Sequence, residues 1–142
     1  MSLKVSRILH AGYIFETENA RVVFDPIFEN PFSVNCHAFP PISFDEAAIR
    51  SLRFDAVFIS HIHDDHCSFA SLDLFDRKTP IYIYCLYPEM IDLIKALGFE
   101  CILSLKLDAP VKITDIEITP RRALDADVDS IFHIKSHGLN IL

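Results

Sequence analysis

The sequence predicts an α+β domain, and three observations support this fold class. The chain has 142 residues, of which 51% are hydrophobic and 23% charged, a balance that suits one folded domain and excludes a disordered chain. Short β-rich runs alternate with short helix signals, as expected when strands and helices share a core. The sequence shows no internal repeat and no Gly/Ser linker, so we treat residues 1–142 as a single domain.

The first third of the chain predicts an antiparallel meander. The β-rich runs are residues 5–9, 13–16 and 21–24, with Glu18-Asn19 as the turn of a hairpin. A long loop then follows over residues 27–42, because prolines recur through it and at its start, and proline disrupts both helices and strands. Loops of this length in compact domains are often functional.

Helices and further strands are predicted in the rest of the chain. Helices are expected over residues 44–52, 68–75 and 88–97. The first has a capping-box pattern with Ser43 as N-cap and Glu46 three residues later, and the third has Pro88 in its first turn. Strands are expected over residues 54–60, 81–85, 100–103, 111–113, 116–119, 131–134 and 139–142.

Charge and cysteine content limit the function. Asp and Glu number 20 against 13 for Lys and Arg, a formal charge of −7, so a general nucleic-acid binder is not expected. No apolar run approaches the roughly 20 residues of a membrane span, and the N-terminus lacks the apolar centre of a signal peptide. The four cysteines never form CxxC, so reduced thiols are expected. We expect a cytoplasmic protein without membrane contact.

A histidine-rich segment follows the apolar run at residues 56–59. It reads Ser-His-Ile-His-Asp-Asp-His over residues 60–66. Because side chains alternate in direction at the end of a strand, His61 and His63 can offer two imidazole nitrogens to one ion. Asp65 and His66 can reach a nearby point from the turn. Imidazole and carboxylate donors suit Zn²⁺, and also Mn²⁺ or Fe, so the segment predicts a site for one or two metal ions.

This segment matches the signature HxHxDH, and the chain resembles the metallo-β-lactamase superfamily, in particular its UlaG-like branch. The context is similar as well: hairpin strands, then Asp25-Pro26 after the third strand, then the motif after a strand that a helix precedes. The resemblance implies the N-terminal part of an αββα sandwich, with a mixed sheet and helices on one face. It also implies that His61 and His63 bind a first metal, and that Asp65 and His66 bind a second.

The chain departs from the family pattern in its last third. In the family a later histidine completes the first site, an aspartate bridges the metals and another histidine completes the second site. Residues 119–129 contain no histidine and offer carboxylates instead, Asp125, Asp127 and Asp129; they are either ligands or part of a solvated loop. The bridging aspartate would follow residues 139–142, so we expect a C-terminally incomplete domain.

Three further expectations concern residues outside HxHxDH. His10 could face the site from the first strand, although a structural hydrogen bond is the alternative for a histidine at a strand end. By family position, Ser60 and Asp25 are candidates to hold the second ring nitrogens of the ligand histidines. Cys67 directly follows the motif and could touch a metal, but a cysteine there is inert unless its pKa is lowered.

The chemistry implied by the resemblance is hydrolysis of a small-molecule substrate. A bound divalent metal lowers the pKa of its water toward about 7, and the target is an ester, amide, lactone or phosphodiester-type bond. If one ion binds, Asp65 is free to act as the general base. The alternative is a metal-binding half-domain without turnover, which assembles with a partner, with a missing C-terminal part, or as a homo-oligomer through the exposed strand 139–142.

Overall fold

The computed structural model describes residues 2–124 and 126–142, with the backbone alone at positions 126 and 127. None of the helices within these residues has the length and apolar character of a membrane span. The elements in chain order are β1 (Lys4–Arg7), β2 (Tyr13–Glu16), β3 (Arg21–Phe24), α1 (Glu46–Ser51), β4 (Ala56–Ile59), α2 (Phe69–Leu72), β5 (Ile81–Ile83), α3 (Pro88–Ala96), β6 (Ile102–Ser104), β7 (Val111–Ile113), β8 (Ile116–Ala123), β9 (Ala126–Ser136) and β10 (Leu139–Ile141).

The strands in the described residues form two sheets. The first has the order β1-β2-β3-β4-β5-β6, in which β1 to β3 are antiparallel and β3 to β6 are parallel. The second has the order β10-β9-β8-β7 and is antiparallel throughout. Each parallel connection contains a helix, as such crossovers require. The predicted α+β class with a mixed sheet is confirmed.

The first sheet is apolar on both faces because it lies between two layers. In β4, Val57 and Ile59 contact the helices, whereas Ala56 and Phe58 belong to the core between the sheets. All three helices contribute to the helix-side core, with Ile49, Leu72 and Ile94 as their fully or nearly fully buried members. The order of layers is therefore helices, mixed sheet, antiparallel sheet, with helices on one face of the mixed sheet.

Aromatic side chains dominate the centre of the core between the sheets. Phe58 is fully buried, and its ring lies 5.2 Å from that of Phe24 and 4.8 Å from that of Tyr82. From the second sheet, Phe132 of β9 meets Phe58 edge-on at 5.9 Å. These contacts attach the second sheet to the strand that leads into the histidine-rich segment.

The first helix begins later than the sequence predicts, and the assignment of Ser43 as its N-cap is wrong. Asp45 is the N-cap, and its Oδ1 accepts a hydrogen bond of 3.0 Å from the amide of Ala48. Phe44 lies outside the helix because its ring packs on Phe28 at 5.7 Å. Both Ser and Asp are good N-caps. Because Phe44 packs against the core instead of entering the helix, the N-cap is Asp45 and not Ser43.

Strands β8 and β9 are much longer than predicted. The sequence indicates residues 116–119 and 131–134, but the two strands pair along Ile116–Ala123 and Ala126–Ser136. Pro120 stands inside β8, where it pairs with β9 but has no counterpart on β7. A proline is tolerated there because that side of the strand needs no amide donor.

Candidate metal centre

The histidine-rich segment lies at the carboxyl end of β4, where the chain turns sharply. The amides of His66 and Cys67 both donate to the carbonyl of His63, at 2.9 and 2.7 Å. Ser68 then caps α2, its Oγ accepting from the amide of Ser71. This compact turn brings the side chains of the motif together above the edge of the first sheet, as the sequence predicts.

Two groups of side chains in the described residues could hold a metal ion. One is His61, His63 and Asp65, and the other is His10, Asp65 and His66. Within each group the ligand atoms all lie within 4.8 Å of one another, and Asp65 is common to both. The imidazole rings of His61 and His63 are 4.8 Å apart, and those of His61 and His66 are 4.0 Å apart.

The separations between donors fit a tetrahedral metal site. With metal–ligand distances near 2.1 Å, neighbouring ligand atoms in a tetrahedron are about 3.4 Å apart. The Oδ2 atom of Asp65 lies 2.9 Å from Nε2 of His10 and 3.7 Å from Nε2 of His66. Imidazole nitrogens combined with a carboxylate suit Zn²⁺, Mn²⁺ and iron, so the residues present fit a metal.

Asp25 and Ser60 bind the Nδ1 atoms of His66 and His61, respectively. The Nδ1–H of His66 donates to Asp25 Oδ2 at 2.7 Å, and Ser60 Oγ donates to the same oxygen at 2.5 Å. Because the hydroxyl proton of Ser60 is used in this way, its oxygen accepts from Nδ1 of His61 at 2.9 Å. Both rings therefore carry their proton on Nδ1, which leaves Nε2 for a metal.

The backbone places Asp25 for this task. Asp25 directly follows β3, has a positive φ of 40° and is almost fully buried. Aspartate enters this left-handed region more readily than most residues because its short side chain hydrogen-bonds locally. Its amide donates to the carbonyl of Phe58 at 2.9 Å, and its Oδ1 accepts from the amide of Ser60 at 2.7 Å. The carboxylate is thus fixed to the end of β4.

The two buried histidines have pKa values shifted in opposite directions. Burial lowers the pKa of His61, and the positive charge of His66 adds to this effect. Burial also acts to lower the pKa of His66, but the hydrogen bond and charge of Asp25, with the charges of Asp65 and Asp129, raise it overall. Compared with an ordinary imidazole, His61 therefore gives up its second ring proton at lower pH, whereas His66 keeps its second proton to higher pH, and that proton competes with a metal for Nε2.

Of the three acidic residues in the β8–β9 region, Asp129 has a side chain within the described part of the structure. Asp125 lies outside the described residues, as does the side chain of Asp127, so both remain predictions. Asp129 has a buried Oδ1 without a hydrogen-bond partner, and its charge raises the pKa of both His61 and His66. The next residue, Ser130, donates through its amide and its Oγ to the carbonyl of Ser60, at 3.2 and 2.8 Å. This part of β9 therefore lies beside the site.

His10 reaches the centre from the turn between β1 and β2. Besides its contact with Asp65, its ring lies 5.4 Å from Phe32 and edge-on to His66 at 5.2 Å. From the sequence, His10 is a residue that could face the site from the first strand, with a structural hydrogen bond as the alternative. Its contact with Asp65 depends on the pairing of β1 with β2 and β3, which a local pattern does not reveal.

Two neighbours of the motif take no part in either group. Asp64 points away, and its Oδ1 accepts from Ser33 Oγ at 2.7 Å, consistent with the resemblance, which gives it no ligand role. Burial raises the pKa of the Cys67 thiol to about 12. Since the thiolate is the form that binds metals, Cys67 is a buried apolar residue rather than a ligand.

Comparison with known proteins identifies the family. The chain matches the β-lactamase superfamily domain over residues 4–142. It belongs to this superfamily. The superfamily membership accounts for the HxHxDH segment at the end of β4 and for the Asp-Pro pair after β3. A direct search of curated proteins found no match.

Solved structures of the same fold include enzymes of different kinds. One is a possible metal-dependent hydrolase from Veillonella parvula, with a TM-score of 0.70 at 14% identity over 96% of this chain and 59% of its own. An isothiocyanate hydrolase from Delia radicum gut bacteria gives 0.64 at 18% identity, over 94% of this chain and 58% of its own. CmlA, a diiron β-hydroxylase from Streptomyces venezuelae, gives 0.71 at 15% identity, over 97% of this chain and 28% of its own. The chain therefore spans at most about three-fifths of these proteins.

Proposed function

We propose that this protein is a metal-dependent hydrolase of small molecules, which uses water to cleave an ester, amide, lactone or phosphodiester-type bond. The observation that carries the proposal is the pair of His/Asp groups that share Asp65 at the carboxyl end of β4. Membership of the β-lactamase superfamily and the similarity to metal-dependent hydrolases support it.

The residues proposed to hold metal are His61, His63, Asp65 and His66. Zn²⁺ is the proposed ion, with Mn²⁺ or Fe as alternatives, because all three accept this mixture of donors. When bound, such an ion lowers the pKa of water and polarises the bond under attack. The similarity to a diiron enzyme is a reason to include iron in every metal-binding experiment.

Asp65 is the proposed proton acceptor when a single ion is held by His61 and His63. Its side chain is about one-third exposed (32%), so water can reach it. The ring of His10 lies within hydrogen-bond distance of Asp65 Oδ2 and fixes the direction of that oxygen. Asp25 and Ser60 keep the imidazoles facing the same point throughout.

A cavity beside His10 is the proposed place for the substrate. Its volume is about 480 Å³, within the range of small-molecule sites. The walls are largely apolar, with one guanidinium group, and include Arg7, Ile8, Phe32, Phe39 and Ile42. We therefore propose a substrate with an apolar portion next to the bond that is cleaved.

Replacing both His61 and His63 by alanine is expected to abolish metal uptake while the fold is retained. Both residues lie beyond the end of β4, and neither belongs to the apolar cores. Metal content after dialysis against Zn²⁺, Mn²⁺ or Fe²⁺ would be measured by mass spectrometry, and the fold by circular dichroism. His133→Ala on β9 is the matched control. Unchanged metal content in the double variant would contradict the proposal.

The alternative function is a metal-binding half-domain without turnover. Strand β10 is the outermost strand of its sheet, and Leu139 is half exposed, so this edge could pair with a partner or with a second copy of the chain. Hydrolysis of generic phosphodiesters, esters, lactones and isothiocyanates by the metal-loaded protein would support the enzyme. Bound metal with no turnover on any of them, together with dimers in sedimentation experiments, would favour the alternative.

A cytoplasmic location is proposed on the basis of the cysteines. All four lie in the described residues, and none forms a disulfide. Unpaired cysteines are typical of a reducing compartment.

A further inference from the structure

We propose that Arg7 binds a carboxylate group of the substrate in the cavity beside His10. The substrate class is then a small molecule that has a carboxylate, an apolar portion and the bond to be cleaved. This inference rests on the proposed function, because it names the substrate class of the same site. It makes Arg7 a specificity-determining residue and gives it no part in metal binding.

The cavity beside His10 has no acidic residue in its described walls. Its lining consists of residues 7–10, Phe32 and residues 37–42. Four other cavities in the described structure each include at least one carboxylate, among them Asp25, Asp55, Asp64 and Asp115. The chain has 20 acidic residues and a formal charge of −7, so an anion meets less repulsion in this cavity than in the others.

The charge of Arg7 is not neutralised by a carboxylate in the described residues. Its side chain donates from Nη2 to the carbonyl oxygen of His10 at 3.2 Å. Five other arginines each form an ion pair with an Asp or Glu: Arg21, Arg50, Arg53, Arg77 and Arg121. A guanidinium group that lines a cavity and has no such partner is available to an anionic ligand, and its planar N–H groups match the geometry of a carboxylate.

His10 connects this guanidinium to the candidate metal centre. Its carbonyl oxygen accepts from Arg7, while Nε2 of its ring lies 2.9 Å from Oδ2 of Asp65. The apolar side chains of Ile8 and Phe32 line the same cavity. A substrate held by its carboxylate at Arg7 can therefore place its apolar portion against these walls. Fixing one end of the substrate in this way also orients the bond to be cleaved.

A carboxylate fits this place better than a phosphate group. The guanidinium can pair with either anion, but its single positive charge balances only a carboxylate in full. A phosphate monoester carries a charge of about −1.5 to −2 at neutral pH. The excess negative charge would lie beside apolar walls in a chain of formal charge −7, which is unfavourable.

The binding of hexanoate and of hexanamide compares a carboxylate with its neutral isostere on the same apolar chain. At pH 7 we expect the metal-free wild-type protein to bind hexanoate about five-fold more tightly, the upper end of the range for an exposed charge pair. Arg7→Gln should bind the two compounds equally and keep the wild-type affinity for hexanamide. NMR titration of the amide chemical shifts would measure both affinities. In the presence of Zn²⁺ the variant should lose the same factor for hexanoate.

Arg53→Gln is the matched control. Its side chain is 91% exposed, like Arg7 it lines a cavity, and that cavity is a different one. This variant should keep the full preference for hexanoate. Circular dichroism would verify that each variant is folded. A misfolded Arg7→Gln would be replaced by Arg7→Met, which keeps an unbranched apolar side chain without the charge and for which the same loss is expected.

The outcomes distinguish this inference from the proposed function. Equal binding of hexanoate and hexanamide by the wild type, or an unchanged preference in Arg7→Gln, would overturn the role of Arg7. Tighter, Arg7-dependent binding of hexyl phosphate would overturn the assignment of a carboxylate. The proposed function would survive all of these results, because it is tested by the metal content of the His61→Ala, His63→Ala double variant. A wild-type protein that shows the preference but takes up no metal would overturn the proposed function.

Discussion

Both carboxylate oxygens of Asp25 accept hydrogen bonds at the candidate metal centre. One accepts from the Ser60 amide, and the other accepts from the Ser60 hydroxyl and from His66. Three atoms of the candidate site, the Ser60 amide nitrogen, Ser60 Oγ and His66 Nδ1, therefore take their positions from a residue that is not itself a proposed ligand. Groups of this kind commonly contribute about 10–100-fold to metal affinity.

Asp25→Asn is expected to weaken metal binding by about 10–100-fold. An amide offers an acceptor on one side only, so its NH₂ group would face a donor, either the Ser60 amide or the His66 ring. In the metal-free protein the pKa of His66 should fall, because Asp25 raises it and the lowering effect of burial remains. Metal titration and NMR pH titration would measure the two effects.

Asp64→Asn is the matched control, since Asp64 lies in the same turn but contacts Ser33 instead of a ring. It should leave both the metal affinity and the pKa of His66 as in the wild type. An Asp25→Asn variant with wild-type affinity would show that the orientation of His66 does not depend on the carboxylate.

Much of the site at the residue scale is predictable from the sequence. The HxHxDH pattern predicts the motif residues as ligands, and family position names Asp25 and Ser60 as candidates to hold their rings; both residues contact ring nitrogens of the motif. The sharing of Asp65 between two groups is different, because it depends on where His10 is carried by the β1–β2 turn. That position is a product of strand pairing across the first sheet, and local sequence does not encode it.

At the scale of elements, the backbone of the turn after β1 lies very close to the backbone at the end of β3. A Cβ atom on Gly12 would lie 2.9 Å from the carbonyl oxygen of Asp25 and 3.1 Å from that of Leu9. Both contacts are with backbone, which cannot easily move. Only glycine fits at this position, and the close approach sets the distance between His10 and the residues that Asp25 aligns.

Gly12→Ala is expected to lower the free energy of unfolding by about 1–3 kcal/mol, the usual range for overpacking. It should also weaken metal binding, because relief of the clash separates the two segments. Denaturant unfolding and metal titration would measure these effects. Gly138→Ala is the control: its positive φ of 79° makes alanine unfavourable, but nothing lies within 4 Å of the added atom. It should lower stability by about 1 kcal/mol and leave metal binding unchanged.

The sequence predicts helices and strands correctly where the signal is local. It fails where the length of a strand depends on pairing with another strand. The hairpin turn at Glu18-Asn19 and the third helix, with Pro88 in its first turn, are confirmed with small shifts in their ends. The polar ends of β8 and β9 do not have the alternation of a half-buried strand. They are strands because they pair with each other over most of their length.

The molecule as a whole depends on the aromatic layer between its two sheets. Phe58 lies at the centre of this layer. It belongs to β4, the strand that leads into the histidine-rich segment, and its ring contacts rings from both sheets. The α+β class and the mixed sheet are predictable because strand and helix signals alternate in the middle of the chain. The sequence does not predict which strands form the second sheet, because short apolar runs have the same pattern in either sheet.

Phe58→Ala is expected to lower the free energy of unfolding by about 3–5 kcal/mol, since it opens a cavity in a fully buried aromatic cluster. Denaturant unfolding followed by circular dichroism would measure the change. Phe39→Ala, which removes a ring that is 97% exposed, should change stability by no more than about 0.5 kcal/mol. Similar losses in the two variants would mean that the layer between the sheets contributes little to stability.

The contact of His66 with Asp25 also links the candidate metal site to the pairing of strands that are distant in sequence. In an unfolded chain only the consecutive residues of the motif are near one another, whereas the paired strands of the folded chain also bring His10 and Asp25 to them. If the proposed ligands hold an ion, that ion would bind the native topology better than any partly assembled state, and its binding free energy would add to that of folding. Under the proposed function, metal loading is expected to report correct strand pairing.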